Sequence, residues 1–240
     1  MKCDMSVGEL LRTRGWEVVE GVFPREEAES LAAFALEHVD MVVDTETGDK
    51  EARKVSAPFK MHERFRNFIL SENLRLVLRQ MLGGLEPLLC RDQIFMKPPK
   101  HGSAKPYHQD NAYFRCEPAD HVITAWVALD DVDESNGCLR YIDGSHLEPE
   151  LPHKAVQGET YNMTPDPELI DLSRESLAIV KKGGVVFHHG NVLHTSHRNH
   201  SDRWRRGYAS HWVTPDVTCE GSTLKTAYFN APDYPRKAAR

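Results

Sequence analysis

The sequence predicts a mainly β fold with flanking α-helices, in which the core is a double-stranded β-helix of the jelly-roll type. Two observations predict it. Short β-rich runs separated by turn residues recur from about residue 88 onward, whereas the preceding part of the chain carries apolar residues at helical spacing. Because several short strands punctuated by turns are typical of two facing sheets, we expect one β-sandwich with helices packed outside it.

Several segments after residue 88 have the composition of strands. They are rich in β-branched and aromatic residues, and glycine, proline or asparagine follows them at positions typical of turns. A proline-rich, acidic segment at 163–171 is predicted as a long loop between strands. This pattern favours the double-sheet architecture of cupin-like barrels. The predicted strands span 93–96, 122–129, 138–142, 185–188 and 208–213.

The first 88 residues are predicted to be largely helical. Pro24 suits the first position of a helix, and apolar residues follow it at helical spacing. A second helix is predicted over 72–82, with the glycines that follow it as its stop signal. A short strand over 16–23 and a polar loop over 45–50 complete this part.

Length and composition indicate an ordinary globular chain. Its 240 residues, 40% hydrophobic and 28% charged, suit one domain with a sizeable core. We expect a single domain over 1–240, in which a helical part at 1–88 precedes the jelly-roll core at 89–215 and a C-terminal extension at 216–240. The five cysteines have no close spacing, which predicts reduced, mostly buried thiols rather than a zinc ribbon or a disulfide framework.

Charge and hydropathy argue against several partners. The net charge of −6, without a sustained basic stripe, gives no reason to expect nucleic acid. An apolar run of about 18 residues, the length that a spanning helix needs, is absent from the sequence. The sequence shows no secretory leader and no organelle address, so we expect a cytoplasmic protein with no obligate protein partner.

The candidate metal ligands are His108, Asp110 and His194. A histidine and an aspartate two positions apart on an extended segment project to the same side. A third ligand from an adjacent strand then completes the two-histidine, one-carboxylate set that holds non-haem Fe(II) and leaves other positions open. The spacing of His108 and Asp110 is a weak signal by itself, and the surrounding residues strengthen it.

Two further residues support a site that binds a carboxylate co-substrate. Arg205 lies at the start of a predicted strand, where its guanidinium group can grip a carboxylate through two parallel hydrogen bonds. The alternative for this basic run is solvent exposure, which we expect for Arg203. Trp126 lies in an otherwise apolar predicted strand. The alternative to a role in the site is that its ring simply packs in the core.

The ordered motifs between residues 93 and 213 resemble those of the phytanoyl-CoA dioxygenase family. The last of them, from His194 to Arg206, is similar to the family's second metal-ligand motif, and the chain departs from the family pattern in the loop between 147 and 180. The motifs are Tyr107-His108-Gln109-Asp110, Trp126-Val127-Ala128-Leu129-Asp130-Asp131, Asn136-Gly137-Cys138-Leu139, Gly144-Ser145-His146 and the segment from His194 through Ser196, Asn199 and Ser201.

The resemblance implies an oxygenase that binds Fe(II) and uses 2-oxoglutarate and O2. It implies that His108, Asp110 and His194 bind the metal, and that Arg205 holds the distal carboxylate of 2-oxoglutarate with help from Ser196. The remaining residues that the resemblance assigns to the co-substrate pocket are Gln109, Trp126 and Lys60.

Hydroxylation of a C–H bond in a small organic molecule is the expected reaction, with release of succinate and CO2. Related halogenating enzymes carry a small residue in place of the carboxylate, so Asp110 argues against halogenation. Desaturation, cyclisation and epimerisation stay open. The individual loop after residue 146 leaves the substrate unassigned, since such loops usually shape the pocket. Candidate substrate residues are Tyr107, Tyr113, Phe114, Arg140, His188 and Trp212.

Two other classes of protein compete with the oxygenase. His194, His197 and His200 repeat at three-residue spacing, and with the adjacent pair His188 and His189 they resemble a zinc hydrolase or a metal-storage site. Three-residue spacing on a loop need not converge on one ion. The other class is a non-catalytic cupin-like binding protein, against which the combination of the three metal-ligand candidates and an arginine argues.

Overall fold

The computed structural model of the chain describes residues 7–43, 50–156, 162–220, 225–231 and 234. Residues 45–49 of the predicted loop at 45–50 and the two ends of the chain lie outside this part, whereas Lys50 begins a strand. Within the described residues, no helix is both long and apolar enough to cross a membrane.

Fifteen strands and six α-helices make up the regular structure of the described residues, together with short 3-10 turns. The helices are α1 (Glu9–Arg14), α2 (Arg25–Leu36), α3 (Pro58–Met61), α4 (Glu63–Ile69), α5 (Glu72–Met81) and α6 (Asn111–Phe114). The strands are β1 (Trp16–Val19), β2 (Asp40–Val43), β3 (Lys50–Ser56), β4 (Leu88–Lys97), β5 (Lys105–His108), β6 (Cys116–Glu117), β7 (Val122–Ala128), β8 (Leu139–Ile142), β9 (His153–Ala155), β10 (Met163–Pro165), β11 (Glu175–Ala178), β12 (Val185–His189), β13 (His194–Ser196), β14 (Arg205–Val213) and β15 (Thr218–Cys219).

Two sheets form the body of the molecule. The major sheet has the order β1-β12-β7-β14-β4-β3-β2, and the minor sheet has the order β11-β8-β13-β5. Every pairing between neighbouring strands is antiparallel. The mainly β jelly-roll prediction is confirmed, and the five strands predicted after residue 88 correspond to β4, β7, β8, β12 and β14.

Alternation along the strands creates two apolar cores. In β7, Ile123 and Val127 pack in the core that the major sheet shares with the helices, whereas Trp126 and Ala128 pack in the core between the sheets. Tyr141 of the minor sheet joins this second core. Because successive side chains on a strand point to opposite faces, the same strands serve both layers.

The first 88 residues differ from the largely helical prediction. The helix at Glu72–Met81 is present, but β1, β2 and β3 from this part belong to the major sheet. The sequence of β3, Lys-Glu-Ala-Arg-Lys-Val-Ser, has few of the residues that favour strands. Its hydrogen bonds to β4 override that local preference.

The segment at 163–171, predicted as a loop, is also partly regular. Met163–Pro165 forms β10, which pairs with β9, and a short 3-10 turn follows it at Pro167–Leu169. Composition alone missed this hairpin because its pairing partner, His153–Ala155, is short and polar.

The cysteines depart from the expectation of reduced thiols. Cys116 and Cys219 form a disulfide that joins β6 to β15, the strand in the C-terminal extension. Cys90 and Cys138 are free and buried, as expected. The spacing rule failed here because the bonded cysteines are 103 residues apart in the sequence and meet only through the fold.

Candidate active site

The structure brings His108, Asp110 and His194 together between the two sheets. His108 ends β5 and pairs directly with His194 at the start of β13, while Asp110 follows β5 by two residues. One ligand atom from each of the three lies within 4.8 Å of the others. The Oδ1 atom of Asp110 is 3.7 Å from Nε2 of His108 and 3.9 Å from Nε2 of His194. All three side chains are buried.

Backbone carbonyls orient both imidazole rings. Nδ1 of His108 is 2.9 Å from the carbonyl oxygen of Pro106, and Nδ1 of His194 is 3.0 Å from that of Val192. Since a carbonyl only accepts hydrogen bonds, each Nδ1 carries the proton and each Nε2 keeps its lone pair. Burial lowers the pKa of both rings, that of His194 to about 4. Neutral imidazoles with Nε2 lone pairs are suited to bind a metal ion.

Asp110 is the anionic member of this set. Burial opposes its ionisation, but the hydrogen bond from His188 and the nearby rings of His194 and His211 outweigh burial and hold its pKa well below the usual value. The charged form is therefore stable inside the protein, as a metal ligand requires.

Arg205 is a buried cation at the start of β14. It is only 2% exposed, and its Cζ atom lies 4.6 Å from the centroid of the Trp126 ring. Its Nε and Nη2 groups have no hydrogen-bond partner among the described residues. Burial lowers its pKa to about 10, so the group is still a cation at neutral pH. A buried guanidinium with unpaired N–H groups is suited to bind a carboxylate.

Gly207 explains how Trp126 fits beside Arg205. Their strands, β14 and β7, are directly paired, with Gly207 opposite Ala128 and Ala209 opposite Trp126. A Cβ atom on Gly207 would lie 1.8 Å from Cζ2 of the indole ring. The ring thus occupies the space that any larger residue at 207 would need.

Lys97 is a second buried basic side chain near Arg205. Its Nζ donates hydrogen bonds to Oγ of Ser196 at 3.0 Å, to the Ser196 carbonyl at 3.3 Å and to the His197 carbonyl. Burial and the neighbouring Arg205 lower its pKa well below the usual value. The pair places two basic groups, of which Arg205 is the cation, at the end of the site that Ser196 also borders.

Two of the predicted co-substrate residues are engaged elsewhere. The amide nitrogen of Gln109 donates to the Asn191 carbonyl at 2.7 Å, and its Oε1 accepts from the Leu151 backbone at 2.9 Å. Lys60 lies over the ring of Tyr228 at 4.9 Å, on the helical side of the major sheet. These contacts lie away from Arg205, so a role of the two residues in the co-substrate pocket stays a prediction that the geometry does not support; motif spacing does not show where a side chain points.

Two of the six candidate substrate residues lie beside the metal-ligand cluster. The ring of Tyr113 is 6.0 Å from that of His108, and the ring of Phe114 is 4.8 Å from that of His211. Both belong to α6, which begins directly after Asp110. This short helix therefore forms one wall of the site.

The other four candidates have different surroundings. Tyr107 and Arg140 both bond to Glu175, and alternation places Tyr107 on the face of β5 opposite to His108. Trp212 is fully buried in the core between the major sheet and the helices. His188 does reach the site, but it contacts Asp110 at 3.0 Å. As a set of substrate contacts, these four are not supported.

Sequence reasoning missed Thr124, His211, Tyr141 and Lys97. Thr124 precedes Trp126 by two positions, and His211 follows Arg205 by six, so strand alternation places both on the inner face of the major sheet. That periodicity could have identified them, because the candidate residues Trp126 and Arg205 already define which face of each strand points into the site. Lys97 lies opposite Arg205 in the register of β4 and β14, which only the fold reveals.

The histidine-rich segment does not form a second centre. His197 and His200 are exposed, and among the described residues the only metal-ligand cluster consists of His108, Asp110 and His194. His189 instead lies 3.1 Å from Asp120.

Comparison with known proteins identifies the family. The sequence model of the phytanoyl-CoA dioxygenase family matches residues 11–207. The chain belongs to this family. The peroxisomal phytanoyl-CoA dioxygenase of Bos taurus is 29% identical over 200 residues, which cover 79% of this chain and 58% of that protein. The chain spans about half the length of the curated relatives it matches.

Solved structures share the fold of this family member. ThoJ, a non-haem monooxygenase, superposes with a TM-score of 0.74 at 25% identity, over 90% of this chain and 80% of that one. The epimerase SnoN, solved with Fe3+, alpha ketoglutarate and nogalamycin RO, gives a TM-score of 0.74 at 20% identity, over 98% of this chain and 92% of that one.

Proposed function

We propose that the protein is an Fe(II)- and 2-oxoglutarate-dependent oxygenase that hydroxylates a C–H bond of a small organic molecule. One observation carries the proposal: the cluster of His108, Asp110 and His194 lies in the same inter-sheet space as Arg205, a buried cation with unpaired N–H groups. Family membership supports this assignment.

The donor set fits Fe(II). His108 and His194 would each supply Nε2 and Asp110 would supply Oδ1, which is the two-imidazole, one-carboxylate combination typical of non-haem iron oxygenases. Two neutral rings and one carboxylate leave a net positive centre when a divalent ion binds. Such a centre is suited to bind the anionic end of a 2-oxo acid.

The donor groups of Arg205 fit the far end of 2-oxoglutarate. Nε and Nη2 of Arg205 lie on the same edge of the guanidinium group and are suited to a bidentate hydrogen bond with a carboxylate. Lys97 adds a second basic group, whose charged form a bound carboxylate would favour, and Ser196 adds a hydroxyl group that Lys97 contacts. Trp126 covers one face of Arg205 and excludes water from it.

Bound together, iron and 2-oxoglutarate supply the activation of dioxygen and the oxidation of a substrate C–H bond. The tasks of the chain are binding, orientation and exclusion of water. His108 and His194 offer fixed lone pairs, Arg205 fixes the direction of the co-substrate, and the rings of Tyr113 and Phe114 form an aromatic wall that is suited to position a substrate.

Other oxidative outcomes are the second candidate. The same fold occurs in an epimerase, and an epimerisation, a desaturation or a ring closure needs the same metal ligands and the same anion pocket. Asp110 keeps the carboxylate ligand, which argues against halogenation. Analysis of the products formed from a candidate substrate separates these outcomes from hydroxylation.

Arg205→Ala tests the co-substrate role. Removal of the guanidinium group should weaken 2-oxoglutarate binding by about 100-fold, the cost of a charged bidentate contact of roughly 3 kcal/mol. Binding of Co(II), used as a redox-stable stand-in for Fe(II), should change little, because Arg205 is not a member of the metal-ligand cluster. Calorimetric titration of 2-oxoglutarate into the Co(II)-loaded protein measures the first quantity.

Arg203→Ala is the matched control. Arg203 belongs to the same basic run, but its side chain is 48% exposed and pairs with Asp133. This variant should bind both metal and 2-oxoglutarate like the unmodified protein. Equal loss of metal and co-substrate binding in Arg205→Ala would contradict the assigned role.

A further inference from the structure

The second oxygen of the Asp110 carboxylate is fully occupied by protein groups. Oδ2 lies 2.7 Å from the Thr124 hydroxyl and 3.0 Å from Nε2 of His188. The first oxygen, Oδ1, is the one that lies nearest to the Nε2 atoms of His108 and His194. The carboxylate thus has one oxygen facing the metal-ligand cluster and one oxygen held by the fold.

Proton counting fixes the direction of the bonds on the Thr124 side. A carboxylate can only accept, so the single hydroxyl proton of Thr124 points to Oδ2 of Asp110. Oγ1 of Thr124 is also 2.8 Å from Nδ1 of His211, and therefore it must accept a hydrogen bond from that N–H group. His211 lies 3.6 Å from Oδ2, too far for a hydrogen bond, so it acts on Asp110 through Thr124.

The same counting applies on the His188 side. Nε2 of His188 donates to Oδ2, and Nδ1 is the acceptor in the tautomer that carries its one proton on Nε2. The Tyr141 hydroxyl lies 2.8 Å from that Nδ1 and donates to it. Stacking on Trp16, with the ring centroids 4.9 Å apart, holds Tyr141 in place. All of these side chains are buried.

We propose that two hydrogen-bonded arms, Tyr141–His188 and His211–Thr124, are positioning devices that restrict Asp110 to binding the metal through Oδ1 alone. This inference rests on the proposed iron site. If Oδ2 also bound the metal, it would take one of the three positions that co-substrate and dioxygen require. The arms prevent the carboxylate from rotating to bring Oδ2 to the metal, because Asp110 would then lose two buried hydrogen bonds.

Thr124→Val tests the second arm. The substitution keeps the shape of the side chain and removes the hydroxyl group that contacts both Asp110 and His211. Co(II) affinity, measured in the absence of 2-oxoglutarate and substrate, should fall about 10- to 100-fold, the usual cost of losing such a partner. The visible absorption spectrum of bound Co(II) should also change, since the ligand field depends on how Asp110 binds.

Three further variants separate positioning from general damage. Thr124→Ser restores the hydroxyl group and should restore the affinity and the spectrum. Thr214→Val makes the same substitution at another buried threonine, whose hydroxyl donates to Asp216 away from the site, and should leave both unchanged. His211→Phe should weaken Co(II) binding by itself and have no further effect when it is combined with Thr124→Val, because it acts through Thr124.

The first arm provides an independent test if Thr124→Val does not fold. Tyr141→Phe keeps the aromatic ring and removes the proton donor to His188, so it should also change the Co(II) spectrum. If Co(II) affinity and the Co(II) spectrum are unchanged in both Thr124→Val and Tyr141→Phe, the inference is overturned and the proposed function stays intact. Failure of the unmodified protein to bind Co(II) would instead overturn the proposed function.

Discussion

Lys97 carries a buried amine without a carboxylate partner among the described residues, and burial and Arg205 lower its pKa well below the usual value. Its hydrogen bonds go to neutral oxygens of Ser196 and His197, and Arg205 is a neighbouring cation. Buried charges are costly unless an opposite charge accompanies them. A dicarboxylate at Arg205 would supply that charge, so this pair is more favourable with co-substrate bound than without it.

Lys97→Met should therefore weaken 2-oxoglutarate binding and stabilise the co-substrate-free protein. The apolar side chain fills a similar volume and removes a buried amine that has no opposite charge beside it. We expect about tenfold weaker binding, or about 1.4 kcal/mol, together with a higher unfolding temperature in the absence of ligand. Calorimetry and thermal unfolding measure the two effects. Unchanged affinity would show that Lys97 contributes no electrostatic attraction to the pocket.

Individual residues were predictable where a motif fixes both their chemistry and their direction. His108 and Asp110 project to one side because they are two positions apart, and the structure places them together with His194. Gln109 lies between them and points elsewhere, to the backbone of Asn191 and Leu151. A motif match alone could not distinguish these directions, whereas strand alternation could have.

Strand β14 shows how one element organises both sides of the major sheet. Arg205, Gly207 and His211 belong to its inner face, while Tyr208 and Trp212 pack in the core shared with the helices. Its part from Tyr208 onward predicts a strand because it contains Tyr208, Trp212 and Val213, which favour strands. Strands β2 and β3 were not predictable in this way, since pairing with β4 and with each other stabilises them.

The disulfide between Cys116 and Cys219 holds the β6–β15 pair near one wall of the site. It closes a loop of 103 residues, so loss of the bond should lower the free energy of unfolding by about 2–4 kcal/mol. Reductant should lower the unfolding temperature of the unmodified protein and leave that of Cys116→Ser/Cys219→Ser unchanged. Equal sensitivity of both proteins to reductant would contradict this account.

At the scale of the whole molecule, the sheet that supports the site is anchored to the helices through a buried acid. Asp92 of β4 accepts hydrogen bonds from the Tyr208 hydroxyl at 2.5 Å and from the Phe59 backbone at 2.9 Å. Burial outweighs these bonds and raises the pKa of Asp92 to about 6. The folded protein therefore holds this proton more tightly than the unfolded chain does.

The raised pKa predicts a definite pH dependence of stability. Between the unfolded value near 3.8 and the folded value of about 6, the folded state binds more protons, so the stability from Asp92 falls as pH rises through this window. The loss should approach about 3 kcal/mol above pH 7. Denaturant unfolding across pH 4–8 should show a smaller decline in Asp92→Asn; parallel profiles would contradict the assignment.

The most direct test of the whole account is iron-dependent turnover of 2-oxoglutarate. The purified protein, incubated with Fe(II), O2 and 2-oxoglutarate, should form succinate slowly without substrate, and Asp110→Ala should abolish this activity because it removes the anionic ligand. His200→Ala, at an exposed histidine of the same segment as His194, should retain it. Absence of both iron-dependent succinate formation and 2-oxoglutarate binding in the unmodified protein would contradict the oxygenase assignment and favour a non-catalytic binding protein.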